Sequence, residues 1–142
     1  MIRSFKSQDL NKVMKLWLDT NIMAHSFIGE EYWKSNYDAV KSMMPSANIY
    51  IYEENNCIQG FIGLMDTYIA GIFVNQDFQS KGIGKKLLNY AKNKNEVLSL
   101  NVYKENIRAV KFYLREDFDI SNEQVDVNTG KSELHMNWKK RV

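Results

Sequence analysis

Apolar residues recur along this chain with two different periods, which predict strands and helices in alternation. Ile49 and Ile51 alternate with tyrosines, as in a strand with one buried face. After Ser7, the expected N-cap, an apolar stripe at helical spacing runs from Leu10 to Trp17. The predicted elements are a strand at 2–5, helices after 7 and over 30–44, strands at 48–53, 57–65 and 69–74, a helix from 83, a strand at 97–102, a helix from 106 and a hairpin of 120–127 with 133–138. The order β-α-α-β-β-β-α-β-α-β-β predicts an α/β fold with helices on both faces of the sheet.

Length and composition narrow the class of protein. A chain of 142 residues with 44% hydrophobic content is expected to form one domain over 1–142. The net charge is only +2, and the chain does not show the concentrated basic face that is typical of nucleic-acid binding. No signal peptide is recognised and no segment approaches the roughly 18 apolar residues of a membrane span. We therefore expect a cytoplasmic protein, a monomer or homodimer, with neither a nucleic-acid nor a membrane partner.

Cysteine and histidine are scarce. The single cysteine, Cys57, excludes an internal disulfide and is expected at a core or strand-edge position. The two histidines and this cysteine show no metal-ligand spacing, so no metal is expected.

The most informative segment lies between the predicted strand Ile69–Val74 and the helix that follows it. Gln79–Lys85 reads Q-S-K-G-I-G-K, and its glycines allow a ligand to approach the backbone closely. The free N–H groups of the first helical turn carry positive partial charge, and Lys81 and Lys86 add full charges. This combination predicts a phosphate or pyrophosphate site. Lys92, further along the helix, is expected on a solvated face.

Two familiar phosphate motifs fit this loop poorly. A Walker A loop would need a hydroxyl residue after Gly84-Lys85, where Lys86 stands. A dinucleotide fingerprint would need a third glycine where Leu87 stands, and it belongs to a first βαβ unit. A third pattern, Q/R-x-x-G-x-G/A, does match.

That pattern resembles the loop of the GCN5-related N-acetyltransferases. The resemblance continues through Val97–Val102, which is similar to the family's fifth strand, and through Asn106–Tyr113, which matches its N-x-x-A-x-x-F-Y helix. The family usually has Gly-Phe after this helix, whereas this chain has Asp117-Phe118, and aspartate tolerates the left-handed turn better than most residues.

The resemblance implies a mostly antiparallel central sheet in which two parallel strands splay apart, and it implies acetyl-CoA as cosubstrate. The backbone of Ile72, Phe73 and Val74 would bind the pantetheine arm, with an N–H near Phe73 or Val74 for the oxyanion. Asn106 and Phe112 would contact the cofactor from the helix. The pyrophosphate would be bound by Gln79, Ser80, Lys81, Gly82, Ile83, Gly84 and Lys85.

The resemblance also implies catalytic roles. Tyr113 would act as the general acid for the departing thiolate, because a phenol with a pKa of about 10 is protonated at neutral pH. For the general base, His25 and Asp66 are the candidates. Glu53 and Glu54 end a neighbouring strand, and a water chain is a further possibility.

The expected function is acetyl-CoA-dependent N-acetyl transfer to a primary amine by direct attack in a ternary complex. The alternatives are a catalytically idle acyl-CoA-binding or sensor module on the same fold, and a mononucleotide-binding protein. Residues 21–33, with Ala24–Ile28 and Glu31–Trp33, resemble a bacterial subgroup, the YjaB-like proteins, and would line the acceptor pocket. A protein N-terminus, a lysine, a polyamine and other small amines all stay open as acceptors.

Overall fold

A computed structural model describes residues 1–141, with seven strands and four α-helices. The strands are β1 (Ile2–Ser4), β2 (Asn48–Glu54), β3 (Cys57–Met65), β4 (Tyr68–Val74), β5 (Val97–Tyr103), β6 (Asp119–Asp126) and β7 (Lys131–Lys139). The helices are α1 (Leu10–Ala24), α2 (Glu30–Met43), α3 (Ile83–Lys94) and α4 (Ile107–Arg115). The predicted order of strands and helices is confirmed.

The strands form one sheet in the order β1-β2-β3-β4-β5-β7-β6, in which only β4 and β5 run parallel. The period-2 pattern sends alternate side chains to two cores. Ile62 and Leu64 join α3 and α4 on one face, whereas Phe61 and Ile51 join α1 and α2 on the other. The expected α/β fold, a mostly antiparallel sheet with helices on both faces, is therefore confirmed.

The parallel strands β4 and β5 separate soon after they begin. They pair only at Tyr68 with Ser99 and at Ile69 with Leu100. The register between β3 and β4 shifts at this point, which leaves Ala70 as an extra residue in β4. Such a bulge bends and twists its strand. The bend explains why a gap opens between the rest of β4 and β5.

Two positions show why particular residues were needed. Asp117 ends α4 with a φ of +71°, so aspartate takes the left-handed position that glycine usually occupies. The Phe118 N–H then donates to the Tyr113 carbonyl at 3.0 Å, and Phe118 is 1% exposed. Gly60 has no room for a side chain, because a Cβ there would lie 2.9 Å from the Phe73 carbonyl oxygen. Gly60 is therefore a site of close packing.

The predicted cap at Ser7 is wrong. Ser7–Asp9 forms a 3₁₀ turn, and the Asp9 carboxylate accepts the Lys6 N–H at 2.8 Å. The Arg3 guanidinium donates to both oxygens of Asp9, which lowers the pKa of that carboxyl. The Asp9 carboxylate, and not the Ser7 hydroxyl, therefore bonds the backbone at this turn.

Two other residues lie elsewhere than expected. Cys57 is exposed at the first position of β3 and is outside the core. Lys92 is partly buried, with its Nζ 5.3 Å from the Trp138 ring and donating to the Glu116 carbonyl at 2.5 Å. It therefore ties α3 to the end of α4 and does not belong to a solvated face.

Candidate active site

The connection between β4 and α3 forms an open cradle of backbone N–H groups. Ser80 and Gly82 adopt left-handed conformations with φ of +63° and +82°. A Cβ at Gly82 would meet nothing within 4 Å, so space is open beside it. Gly82 also provides no side chain to cap α3, so the first-turn N–H groups of residues 83–85 stay available. This arrangement suits an anion such as a pyrophosphate.

A residue that sequence reasoning missed, Arg108, holds this loop. Gln79 Nε2 donates to the Val74 carbonyl at 3.1 Å, which anchors the loop to β4. Arg108 in α4 then donates to Gln79 Oε1 at 2.9 Å and to Ser80 Oγ at 3.1 Å. A guanidinium therefore lies beside the cradle. The available signal was a lone arginine in the first turn of a helix that the resemblance places next to the cofactor.

The predicted loop lysines do not share one environment. Lys81 Nζ lies 5.6 Å from the Phe78 ring, and Lys85 is exposed at the start of α3. Lys86 Nζ instead lies 5.5 Å from the ring of Tyr52 in β2. Lys81 and Lys85 thus stay beside the cradle, whereas Lys86 is turned towards the neighbouring strand.

Backbone groups of β4 line the gap between β4 and β5, but only at alternate residues. The Asn75 N–H donates to the Gln59 carbonyl of the β3 side at 2.8 Å. In an antiparallel ladder the bonded residues alternate, so Phe73 pairs with Phe61 in the same way. Ile72 and Val74 therefore direct their backbone groups towards the gap. The expectation that Phe73 offers its own N–H there is corrected by this register.

Tyr113 and Phe112 approach the gap from α4. Tyr113 is 7% exposed, and burial, followed by the proximity of Tyr68, raises the pKa of its phenol. Its hydroxyl is bonded to none of the described residues and is not among the fully enclosed polar atoms that lack a partner. Phe112 packs against the loop, since a Cβ at Gly84 would lie 3.7 Å from its ring. Tyr113 is thus a protonated donor at neutral pH.

His25 is brought to α4 by a hydrogen bond with Asn106. The Asn106 Oδ1 accepts the Ala109 N–H at 3.3 Å, which leaves Nδ2 to donate to His25 Nε2 at 3.2 Å. Burial lowers the pKa of His25 to about 4, against a smaller opposite effect of the Asn21 carbonyl. The imidazole is therefore neutral, but its lone pair is already engaged. This geometry weighs against His25 as the base, and Asn106 acts as an N-cap.

The carboxylates considered as bases lie apart from the gap. Asp66 is exposed in the turn between β3 and β4, next to Tyr68, where β4 and β5 are still paired. Glu53 accepts from Arg3 Nε at 2.9 Å, which lowers the pKa of its carboxyl. Glu54 pairs with the N-terminal ammonium group. None of the three lies where β4 and β5 diverge.

A polar strip crosses β5 and β7 on the face opposite α3 and α4. Leu134 and Met136 are buried under those helices, so Glu133 and His135 lie on the other face. His135 Nδ1 lies 2.7 Å from Asn101 Oδ1 on β5. Sequence reasoning missed this pair, because a histidine in the closing hairpin showed no local motif.

Aromatic residues close one end of this strip. The rings of His25 and Phe27 lie 5.2 Å and 5.9 Å from Tyr103, and His25 stacks on Trp33 at 5.1 Å. The Tyr103 hydroxyl donates to Asp126 at 2.6 Å, and burial together with this bond raises the pKa of its phenol. The segment 21–33 thus lines the sheet face beside the gap.

Metal sites and membrane spans would each need a recognisable feature within residues 1–141. Within that range no three His, Cys, Asp or Glu side chains are grouped as a metal site would require. None of the helices described combines the length and apolar character needed to cross a membrane.

Comparisons with known proteins agree on one family. The model of the Acetyltransferase (GNAT) domain matches residues 19–140. Peptidyl-lysine N-acetyltransferase YiaC of Escherichia coli is 31% identical over 84% of each chain. Peptidyl-lysine N-acetyltransferase YjaB of the same organism is 26% identical over 94% of this chain and 86% of its own.

Solved structures show the same fold. The solution structure of apo-form YjaB from Escherichia coli superposes with a TM-score of 0.85 at 24% identity, covering 97% of this chain and 96% of that one. YncA of Salmonella typhimurium, a putative acetyltransferase solved with acetyl-CoA, gives a TM-score of 0.68 at 15% identity, covering 100% and 95%.

Proposed function

We propose that this chain, which belongs to the GNAT acetyltransferase family, transfers the acetyl group of acetyl-CoA to the ε-amine of a lysine in a peptide or protein. The observation that carries the proposal is the gap between β4 and β5, which has the N–H cradle at its mouth and Tyr113 beside it. Both reactants can be held together there, so the amine would attack the thioester directly in a ternary complex.

Two features of the chain fit acetyl-CoA. The cradle of residues 82–85, with Lys81, Lys85 and Arg108 nearby, would bind the pyrophosphate. Ile72 and Val74 would bind the pantetheine amides as an added strand does. When bound, the cosubstrate supplies an activated acetyl group on sulfur.

The residues around the gap then supply the remaining chemistry. The N–H of Ile72, deeper in the gap than Val74, would donate to the developing oxyanion. Tyr113 would donate its phenolic proton to the departing thiolate, since burial keeps the phenol protonated. The acid and the oxyanion donor thus come from α4 and β4.

Two observations favour a lysine acceptor over the other amines. YiaC and YjaB, the relatives named above, are both peptidyl-lysine N-acetyltransferases. The sheet face beside the gap carries Asp126 and Glu133, and Phe27, Tyr32 and Tyr103 supply an aromatic wall. Carboxylates attract the ammonium group, and aromatic surface suits the lysine methylenes.

The test is an acetylation assay with acetyl-CoA and three matched acceptors. These are a peptide with one internal lysine and a blocked N-terminus, the same peptide with norleucine for lysine and a free N-terminus, and spermidine. We expect a mass increase of one acetyl group on the lysine peptide, at a kcat/KM well above those of the others. Preference for the free N-terminus or for spermidine would overturn the lysine assignment.

A further inference from the structure

We propose that His135 is the catalytic residue that takes the proton from the attacking amine, and that Asn101 is the positioning residue that orients it. The inference rests on the proposed function, because it assigns a group to the same acetyl transfer. It follows from where the fold places the two side chains.

The two residues face each other on adjacent strands. Asn101 of β5 is the register partner of His135 of β7, and Asn101 Oδ1 lies 2.7 Å from His135 Nδ1. Because an amide oxygen only accepts, the imidazole donates from Nδ1. The lone pair then lies on Nε2, which is bonded to none of the described residues. An oriented imidazole with a free Nε2 is the arrangement that general bases use.

The strip reaches the point where β4 and β5 diverge. Asn101 follows Leu100, the last residue of β5 that pairs with β4. Tyr68 lies at the paired ends of the two strands, and the pKa of its phenol is raised first by burial and then by Glu133, with hydrogen bonds from Asn101 opposing the rise. Tyr68 also influences Tyr113, which comes from the other face. His135 and Tyr113 therefore lie on opposite faces of the sheet.

His25 cannot take this role so readily. Its Nε2 accepts from Asn106 Nδ2, whereas the corresponding atom of His135 is free. His135 is also only half-buried, so a proton can pass from it to solvent. Of the two histidines, His135 is thus the one with both an orienting partner and an exit for the proton.

The step balances as follows. His135 Nε2 takes one proton from the lysine ammonium and releases it to solvent. The nitrogen lone pair forms the C–N bond while the C–S bond breaks, and the thiolate takes the phenolic proton of Tyr113. The second proton lost by the nitrogen returns to Tyr113 through His135 or water. The products are the acetylamide, the free thiol of CoA and one proton.

The test compares four variants in the lysine-peptide assay across pH. His135→Asn keeps a donor for Asn101 but has no base, and we expect kcat to fall about 10²-fold at neutral pH with acetyl-CoA affinity unchanged. Its rate should then rise with pH until the lysine itself is deprotonated. Asn101→Ala should lower kcat about tenfold, and Asn101→Asp, which still accepts from Nδ1, should restore it. Asn137→Gln, on the same face of β7, is the control and should behave as wild type.

In the pH profile, the contribution of His135 has to be separated from those of the other titratable groups that face this strip. These are Tyr68 on β4, Tyr103 on β5, Asp126 and Asp119 on β6, Glu133 and Lys131 on β7, Tyr32 on α2 and His25 after α1. The limb that belongs to His135 is the one that disappears in His135→Asn. A limb that persists in the variant would assign proton removal to another group.

A measurement on the wild-type protein keeps the inference testable even if a variant fails to fold. Imidazole ¹⁵N chemical shifts should show His135 with its proton on Nδ1. A proton on Nε2, or full activity of a folded His135→Asn protein, would overturn the inference and leave the lysine assignment standing. If wild type binds acetyl-CoA yet acetylates no lysine peptide, the proposed function fails instead, and the inference fails with it.

Discussion

Asn106 and His25, 81 positions apart in the chain, meet at 3.2 Å between Nδ2 and Nε2. Asn106 caps α4, and His25 follows the last residue of α1. The bond therefore joins the helix that carries Tyr113 to the segment that lines the proposed acceptor side. A neutral imidazole is required, because a protonated ring would place a hydrogen against the Asn106 amide.

This contact predicts a pH-dependent stability. The pKa of His25 is about 4 in the folded protein, below the usual histidine value of 6.5, so the unfolded chain binds the extra proton first. The free energy of unfolding should be unaffected above pH 6.5 and should fall between pH 6.5 and 4, by about 2 kcal/mol at pH 5. Urea unfolding of wild type and His25→Gln measures this effect. The difference between their free energies of unfolding should become smaller as the pH falls. A difference that stays constant with pH would contradict the prediction.

Gly82 should matter for acetyl-CoA binding far more than for stability. Gly82→Glu places bulk and negative charge in the cradle and should abolish binding, and Gly82→Ala should weaken it. Gly130 is the matched control, because it also has a positive φ and open space at Cβ. Gly82→Ala and Gly130→Ala should each cost about 1–2 kcal/mol of stability. Calorimetric titration with acetyl-CoA should separate them, and equal affinities would remove the loop from the site.

Tyr113→Phe tests the general acid. We expect acetyl-CoA affinity to be kept and kcat to fall about 10²-fold, because only the proton donor is lost. Since the pKa of Tyr113 is raised, ionisation of this phenol should produce no descending limb in the wild-type profile up to pH 10. Tyr90→Phe is the control, and it should have no effect. It removes a hydroxyl from Tyr90 of α3, whose ring lies 4.8 Å from the ring of Tyr50. An unchanged kcat in Tyr113→Phe would mean that the thiolate leaves without this residue.

Arg108 should act on cosubstrate binding and leave the chemical step intact. Arg108→Ala removes two hydrogen bonds to the loop, so the Kd for acetyl-CoA should rise about tenfold, the size expected when hydrogen bonds of a charged group are lost. The single-turnover rate constant at saturating acetyl-CoA should stay the same. Arg115→Ala, at the exposed end of the same helix, controls for general loss of positive charge. Equal Kd values for the two variants would show that Arg108 is not a loop support.

Asp66→Asn should leave kcat/KM unchanged across the pH range. Asp66 is exposed in a turn with φ of +54°, and asparagine accepts that conformation equally well. Its place is beside the paired ends of β4 and β5, away from where they diverge. A loss of about 10²-fold, the scale of a missing general base, would return the role of base to Asp66.

The sequence alone was enough for the element order and the loop. Each depends on local signals: period-2 and period-3.6 apolar patterns, glycine at a left-handed turn, and a motif whose residues are close together in the chain. Asp117 in the turn after α4 was predictable for the same reason. The Ser7 cap was wrong because Ser7 lies inside a 3₁₀ turn, where the Asp9 carboxylate, itself held by Arg3, accepts the Lys6 N–H.

Only the tertiary structure decided the pairings between residues that are distant in the chain. Ile72 and Val74 face the gap, and Phe73 does not, because the β3–β4 register determines which N–H groups stay free. The Nε2 lone pair of His25 accepts from Asn106, and His135 is hydrogen-bonded to Asn101. Arg108 donates to Gln79, which lies 29 positions away in the chain. Strand register and helix packing set such contacts, and a single sequence carries no local pattern for either. The sequence therefore identified the family, and the tertiary structure determined which side chains meet at the site.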